Sequence, residues 1–152
     1  MNKICFVAST GGHLEQLMML EPLMTKYDGF ILTEKTSYSV IDKNKKVYYV
    51  KQVNRHEFTW IFKLIHNVFV SLRIFKNERP DVVISTGAMA TLPICIIAKI
   101  FKKKLIFIES FAKINSPTLT GKLLYKFADQ FYVQWEEMLD IYPNAVFKGG
   151  IY

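Results

Sequence analysis

The sequence predicts a single α/β domain built on a mainly parallel, doubly wound sheet. Short apolar runs alternate with helical stretches of about a dozen residues, as right-handed βαβ units require. Two of those runs leave through small residues ending in glycine, Ser9-Thr10-Gly11-Gly12 and Ser85-Thr86-Gly87. The chain has 152 residues, 51% of them hydrophobic, enough for one well-buried domain and too few for two, so residues 1–152 are read as one unit.

The elements follow in order. Lys3 to Ala8 is an apolar run of the kind found in strands buried on both faces. After the glycine turn, leucine and methionine recur at Leu14, Leu17, Met18 and Leu20, which predicts a helix over about residues 13–25. Residues 30–33 and 47–50 read as strands, and the polar stretch Glu34 to Lys46 between them as a loop with a short helix. A long helix is predicted over about residues 57–77. Asp81 to Ser85 is a strand led in by Pro80, and a helix follows over about 89–101. Residues 105–109 and 130–133 are further strands. A helix opened by Ser116-Pro117 lies between them, and Ala145 to Phe147 is a last edge strand.

Charge and cysteine usage narrow the function classes. Twenty basic residues against thirteen acidic ones give a net charge of +7, which implies an anionic partner: nucleic acid, a phospholipid surface or a phosphorylated substrate. Nucleic acid is disfavoured, because no recognition motif and no aromatic strand surface is present. Cys5 and Cys95 both lie in apolar runs and read as buried thiols in a reducing compartment. Neither a metal nor a cofactor is expected: the three histidines are far apart, and Cys-x-x-Cys and Asp-x-Asp are absent. The sequence opens on strand residues, and no apolar run reaches the roughly 18 residues of a membrane span. A cytosolic or peripheral membrane protein is expected.

The turn Ser9-Thr10-Gly11-Gly12-His13 is the strongest candidate site. Glycines let a backbone or a phosphate approach closely, and first-turn N–H groups attract anions. The dinucleotide and P-loop fingerprints are both missing. In open α/β sheets ligands bind at the carboxyl edge, where three strand exits are expected to converge: Thr10 to His13, Ser85-Thr86-Gly87, and Glu109-Ser110. Thr10, Gly11, Gly12, Ser85, Thr86, Gly87 and Ser110 are the candidates for binding a phosphate-bearing ligand there. His13 and Glu109 are the groups at that edge able to take a proton from an attacking hydroxyl. The alternatives are a helix-capping turn with a solvated histidine, and a structural carboxylate that accepts backbone N–H bonds.

The helix at 57–77 has an apolar stripe of Trp60, Ile61, Leu64, Ile65, Val68, Phe69, Leu72 and Phe75, expected to face the core. No acid lies between Glu57 and Glu78, and the other face mixes Lys63, His66 and Arg73 with Val70 and Ile74. Such a face fits a lipid interface as well as a solvated one. The candidate membrane residues are Trp60, Phe62, Lys63, Val70, Arg73 and Ile74, together with the lysine run Lys102, Lys103 and Lys104.

Four stretches together, Ser-Thr-Gly-Gly-His-Leu-Glu-Gln-Leu from Ser9, Ser-Thr-Gly-Ala from Ser85, Ile-Glu-Ser-Phe-Ala-Lys from Ile108 and the closing Gly-Gly-Ile-Tyr, resemble a known family. These are capsule and exopolysaccharide biosynthesis proteins, bacterial relatives of the membrane-anchoring subunit of the two-part GlcNAc transferase of lipid-linked oligosaccharide synthesis. The pattern is also similar to the amino-terminal half of the peptidoglycan GlcNAc transferase, a two-domain enzyme of the GT-B type.

The resemblance implies a Rossmann-like domain equivalent to the acceptor half of a GT-B enzyme. It further implies a subunit, inactive alone, that holds an undecaprenyl-diphosphate-linked saccharide at the cytoplasmic face of an anionic membrane. A separate catalytic subunit would bring the UDP-sugar. By the same resemblance Gly11, Gly12 and His13 would lie near the acceptor diphosphate, with His13 the base, and Glu109 would match the acid of the later loop. Trp135 and the terminal Gly149, Gly150, Ile151 and Tyr152 are the candidate partner contacts, an exposed aromatic being a usual interface anchor. The alternative is a non-catalytic scaffold that only recruits the partner to the membrane.

Overall fold

The structure, a computed structural model, describes residues 2–35 and 44–152. The loop and short helix expected between Glu34 and Lys46 fall largely on residues 36–43, outside the described residues.

Among the described residues one parallel sheet of seven strands organises the fold, in the order β3-β2-β1-β4-β5-β6-β7. The strands are β1 (Ile4–Ala8), β2 (Gly29–Glu34), β3 (Val47–Val50), β4 (Val82–Gly87), β5 (Lys104–Ile108), β6 (Gln130–Val133) and β7 (Val146–Phe147). The helices are α1 (Gly12–Met18), α2 (Glu21–Lys26), α3 (Trp60–Glu78), α4 (Leu92–Ile100) and α5 (Leu119–Leu124). Strand order reverses between β1 and β4, so the crevice at their carboxyl ends is the switch point where such sheets take ligands.

Alternation along β1 shows the two layers. Cys5 and Val7 join a core with residues of α3, α4 and α5, whereas Ile4, Phe6 and Ala8 join Leu14 and Leu17 of α1 beneath the other face. Both thiols are fully buried and unpaired, and burial pushes each up in pKa, Cys95 to about 12.

Two helical expectations are corrected in detail. The single helix over 13–25 is two, because Pro22 has no N–H to bond back to the preceding turn and instead opens α2. The helix expected from Ser116-Pro117 begins at Leu119, with Thr118 as the cap: its Oγ1 accepts the Gly121 N–H at 2.8 Å.

A larger correction concerns α3. Of the expected inward stripe only Phe75 is fully buried, while Ile61, Ile65, Val68 and Phe69 face outward. Ile74, expected on the outer face, is 7% exposed, and Val70 packs against the core. Polar residues set this rotation. Asn67, fully buried, accepts the Lys51 N–H at 2.9 Å and donates to the Lys51 carbonyl at 2.7 Å. Buried Glu78 takes ion pairs from Lys3 and Lys46 at 2.6 Å each and a hydrogen bond from Tyr48. Burial alone would raise the Glu78 carboxyl, but those three donors outweigh it and hold it near 2. A side chain so well satisfied can face the core, and the apolar stripe is turned out.

Candidate functional site

The site grows from an irregularity in the β1–β4 ladder. Val7 pairs with Ser85 but Ala8 pairs with Gly87, so Thr86 is an extra residue with no partner on β1. Its carbonyl is taken by His13 Nδ1 at 2.6 Å, and its Oγ1 donates to the His13 carbonyl at 2.7 Å. A carbonyl only accepts, so Nδ1 carries the ring proton and Nε2 is left as the acceptor of the neutral imidazole. Gly87 closes the arrangement: a Cβ there would lie 3.1 Å from the His13 ring, and its φ of +99° suits glycine alone.

His13 lines an open pocket of about 440 Å³ with Gly12, Gln16, Ser110, Phe111, Ala112 and Tyr152. The first and third strand exits therefore do meet. Gly11 is exposed next to Gly12, whereas the hydroxyl candidates Ser85, Thr86 and Thr10 are occupied inside the protein. Ser85 is fully buried, accepting from the Gly87 N–H and sharing a bond with Thr91; Thr86 is spent on His13. Thr10 donates through both its N–H and its hydroxyl to Glu34, and the other Glu34 oxygen accepts the Val53 N–H.

Glu109 is not in the pocket. It is 1% exposed, and its carboxylate accepts from Ser110 N–H, from the N–H and hydroxyl of Thr118, and from Tyr142. These contacts are the ones expected of the structural alternative for Glu109: the group ties the β5 exit to the start of α5. Gly121 makes room for it, since a Cβ there would lie 2.0 Å from Glu109 Oε2. Burial, then the neighbouring carboxylate, pushes the Tyr142 hydroxyl well up in pKa, keeping it a donor.

The chain's closing residues reach the same loop. Gln134, buried, donates to the Glu109 carbonyl at 2.8 Å and accepts the Ile151 N–H at 3.1 Å. Phe111 packs between Trp135 and Tyr152, with ring centroids 4.8 and 5.0 Å away. Trp135, expected as an exposed anchor, is half-buried, with Nε1 donating to the Phe111 carbonyl at 2.6 Å. Gly150 lies against the Phe111 ring, Gly149 sits at φ +88°, and Tyr152 is exposed. An apolar cleft of about 290 Å³ runs beside this segment over β5 and β6, lined by Leu20, Ile84, Ile106, Ile108, Tyr132 and Ile151 among others.

The candidate membrane residues divide. Phe62 and Arg73 are exposed, Trp60 is half-buried, and Lys63 pairs with Glu57. Phe58, Phe62 and Phe69 are 96, 69 and 68% exposed, so the outward face is more apolar than the sequence suggested. Lys103 pairs with Asp81 at 2.8 Å, whereas Lys102 and Lys104 are exposed. All three lie at the start of β5, the sheet edge opposite His13. Among the described residues no helix is long and apolar enough to cross a membrane, and no cluster of metal-ligating side chains occurs.

Sequence reasoning missed Gln16, Glu34, Asn67, Thr118, Gln134 and Tyr142. Gln16 carried one usable signal, its place three residues after His13 on the same helix face.

Comparison with known proteins adds the following. Residues 4–151 match the family described as "Oligosaccharide biosynthesis protein Alg14 like". The UDP-N-acetylglucosamine transferase subunit ALG14 of Homo sapiens is 24% identical over 97% of this chain and 82% of its own. The subunit from Schizosaccharomyces pombe is 35% identical over 73% of this chain and 55% of its own. A UDP-N-acetylglucosamine–N-acetylmuramyl-(pentapeptide) pyrophosphoryl-undecaprenol N-acetylglucosamine transferase from Staphylococcus saprophyticus is 29% identical over 95% of this chain, which spans 43% of that enzyme. In three dimensions, the crystal structure of Acinetobacter baumannii MurG overlays with a TM-score of 0.74 at 17% identity, over 90% of this chain and 43% of MurG. The S. aureus MnaA–UDP structure also gives 0.74, at 13% identity, over 99% of this chain and 46% of MnaA.

Proposed function

The chain belongs to the Alg14-like family of oligosaccharide biosynthesis proteins, and from that premise we propose that it is the acceptor-binding subunit of a split glycosyltransferase in bacterial polysaccharide synthesis. Its acceptor is an undecaprenyl-diphosphate-linked saccharide, and a separate catalytic subunit brings a hexose as its UDP-sugar. The observation that carries this reading is the His13 pocket: it lies at the switch point, it is open, and the bond from His13 Nδ1 to the Thr86 carbonyl leaves Nε2 as the ring's acceptor. The names of the relatives support both the subunit role and the sugar-nucleotide chemistry.

In this reading His13 Nε2 accepts the proton of the acceptor hydroxyl as its oxygen bonds to the anomeric carbon of the donor sugar. The bond from that carbon to the UDP oxygen breaks, and UDP leaves with the electron pair. The Gly11-Gly12 turn and Ser110 face the acceptor phosphates. The partner docks over the carboxyl edge, contacting Gly149, Gly150, Ile151, Tyr152 and the edge of Trp135, with the cleft beside them extending the surface.

Association with the cytoplasmic face of an anionic membrane is part of the same proposal. The outward Phe58, Ile61, Phe62, Ile65 and Phe69 would enter the lipid interface, with Arg73 and the net charge of +7 drawn to its headgroups.

Reconstitution tests the proposal. Purified alone, the chain should neither bind a UDP-sugar usefully nor transfer hexose to a lipid-linked acceptor, and adding the donor-binding subunit should restore transfer. Robust transfer by this chain alone, with contaminating partner excluded by mass spectrometry, would overturn it. The scaffold reading draws on one observation, that Glu109, Ser85 and Thr86 are all spent inside the protein; it requires transfer by the pair to be indifferent to His13.

A further inference from the structure

We infer that Gln16 is the saccharide-recognising residue of the His13 pocket, making this pocket a monosaccharide subsite as well as a phosphate-proximal turn. The inference rests on the acceptor-binding reading above and assigns a group within it.

Buried polar atoms in folded proteins are nearly always hydrogen-bonded, and one that is not calls for a partner the protein itself does not supply. Gln16 is 3% exposed, yet its Oε1 is buried without any hydrogen-bond partner. Thr33 and Ser71 also carry such an oxygen, but Gln16 is the one that lines the pocket with His13.

Position gives the orphan its meaning. Gln16 follows His13 by three residues on α1, so the two side chains share one helix face. The terminal torsion of a glutamine is broad and roughly two-fold, so turning the amide over offers either its oxygen or an N–H to the pocket. A primary amide both donates and accepts, and its natural complement is a group that does the same. A sugar hydroxyl or an acetamido group does so; a phosphate oxygen, which at neutral pH mostly accepts, uses only the donor half.

The rest of the lining fits a pyranose. Phe111 and Tyr152, whose rings pack together, line it with aromatic side chains, and Ser110 is a hydroxyl residue of the same lining. Apolar ring faces beside a few placed polar groups suit a sugar ring, which has C–H faces and a hydroxylated rim. At about 440 Å³ the pocket has room for one such ring and the phosphate attached to it.

The inference can be tested on the full chain with three soluble probes: N-acetylglucosamine 1-phosphate, glucose 1-phosphate and inorganic phosphate. Binding is followed by NMR on the backbone amides of Gly11 and Gly12 and on the Gln16 side-chain amide. The wild-type chain should bind at least one sugar phosphate more tightly than inorganic phosphate, and the Gln16 side-chain resonances should shift only with the sugar phosphates. Gln16→Met keeps the length and removes the hydrogen bonding. It should bind that sugar phosphate about tenfold more weakly, the scale of one hydrogen bond, while inorganic phosphate binding and the melting temperature stay unchanged. Equal sugar-phosphate affinity in Gln16→Met, or a wild-type chain that makes no distinction between sugar phosphate and phosphate, overturns the inference. Neither result touches the acceptor-subunit reading if the reconstituted pair still transfers hexose; loss of that transfer in the wild-type pair is what defeats the broader reading.

Discussion

His13 and Thr86 hold each other by two hydrogen bonds, ring nitrogen to carbonyl at 2.6 Å and hydroxyl to carbonyl at 2.7 Å, at the point where the strand order reverses. If His13 is the base, His13→Ala should lower transfer by the reconstituted pair on the order of a hundredfold with little change in folding. Thr86→Val, which removes the hydroxyl tie and leaves the carbonyl, should cost less. Unchanged rates in His13→Ala with the partner saturating would leave the scaffold role standing.

Glu109 should behave as a structural group. Glu109→Gln points an amide N–H at donors and should destabilise the fold by about 1–3 kcal/mol. Gly121→Ala should do so by crowding the same carboxylate. Thermal unfolding checks both, and activity per folded molecule should stay close to wild type.

Acid should weaken the domain through Glu78. Its carboxyl sits near 2 in the folded chain against an ordinary 4.5, so the unfolded chain binds the proton more readily. The stabilisation, up to about 3 kcal/mol, is fully present above pH 4.5 and is lost as the pH falls from there towards 2. In Glu78→Gln the denaturation midpoint should respond less to pH across that window.

Membrane association should depend on the outward face of α3. A Phe62→Ser/Phe69→Ser variant should sediment less with anionic vesicles, because each phenylalanine contributes up to about 1.5–3 kcal/mol when fully inserted. Added salt should weaken binding further, as should Lys63→Glu/Arg73→Glu. Wild-type sedimentation by the double serine variant would remove this face from the interface.

Deleting Ile151 and Tyr152 should weaken the complex with the donor-binding subunit more than it lowers the melting temperature. Pull-down and thermal unfolding of the same sample separate the two.

The parallel sheet and the meeting of His13 with Ser110 were legible, since they follow from the alternation of strands with helices and from where small residues leave the strands; the order of the strands was not. The rotation of α3 was not. A period of 3.6 says which residues share a face, but the direction of that face was decided by Asn67 and Glu78, whose partners Lys51, Lys3 and Lys46 are remote in sequence. The burial of Glu109 was not legible for a similar reason: beyond the adjacent Ser110 N–H, its donors come from Thr118 and Tyr142, and nothing at Glu109 itself announces them. Trp135 is less exposed than expected because a local reading cannot see that Phe111 folds back onto it.

Gln134 grips the Glu109 carbonyl with one end of its amide and the Ile151 N–H with the other, so the loop beside Ser110 and the last residues of the chain form one hydrogen-bonded unit. Two occupants, one on the tail and one in the pocket, would then press on the same unit. Thermodynamic reciprocity fixes the outcome: whatever factor the first adds to the grip on the second, the second returns to the first. A subunit joined through this tail need not touch the sugar to change how firmly it is held.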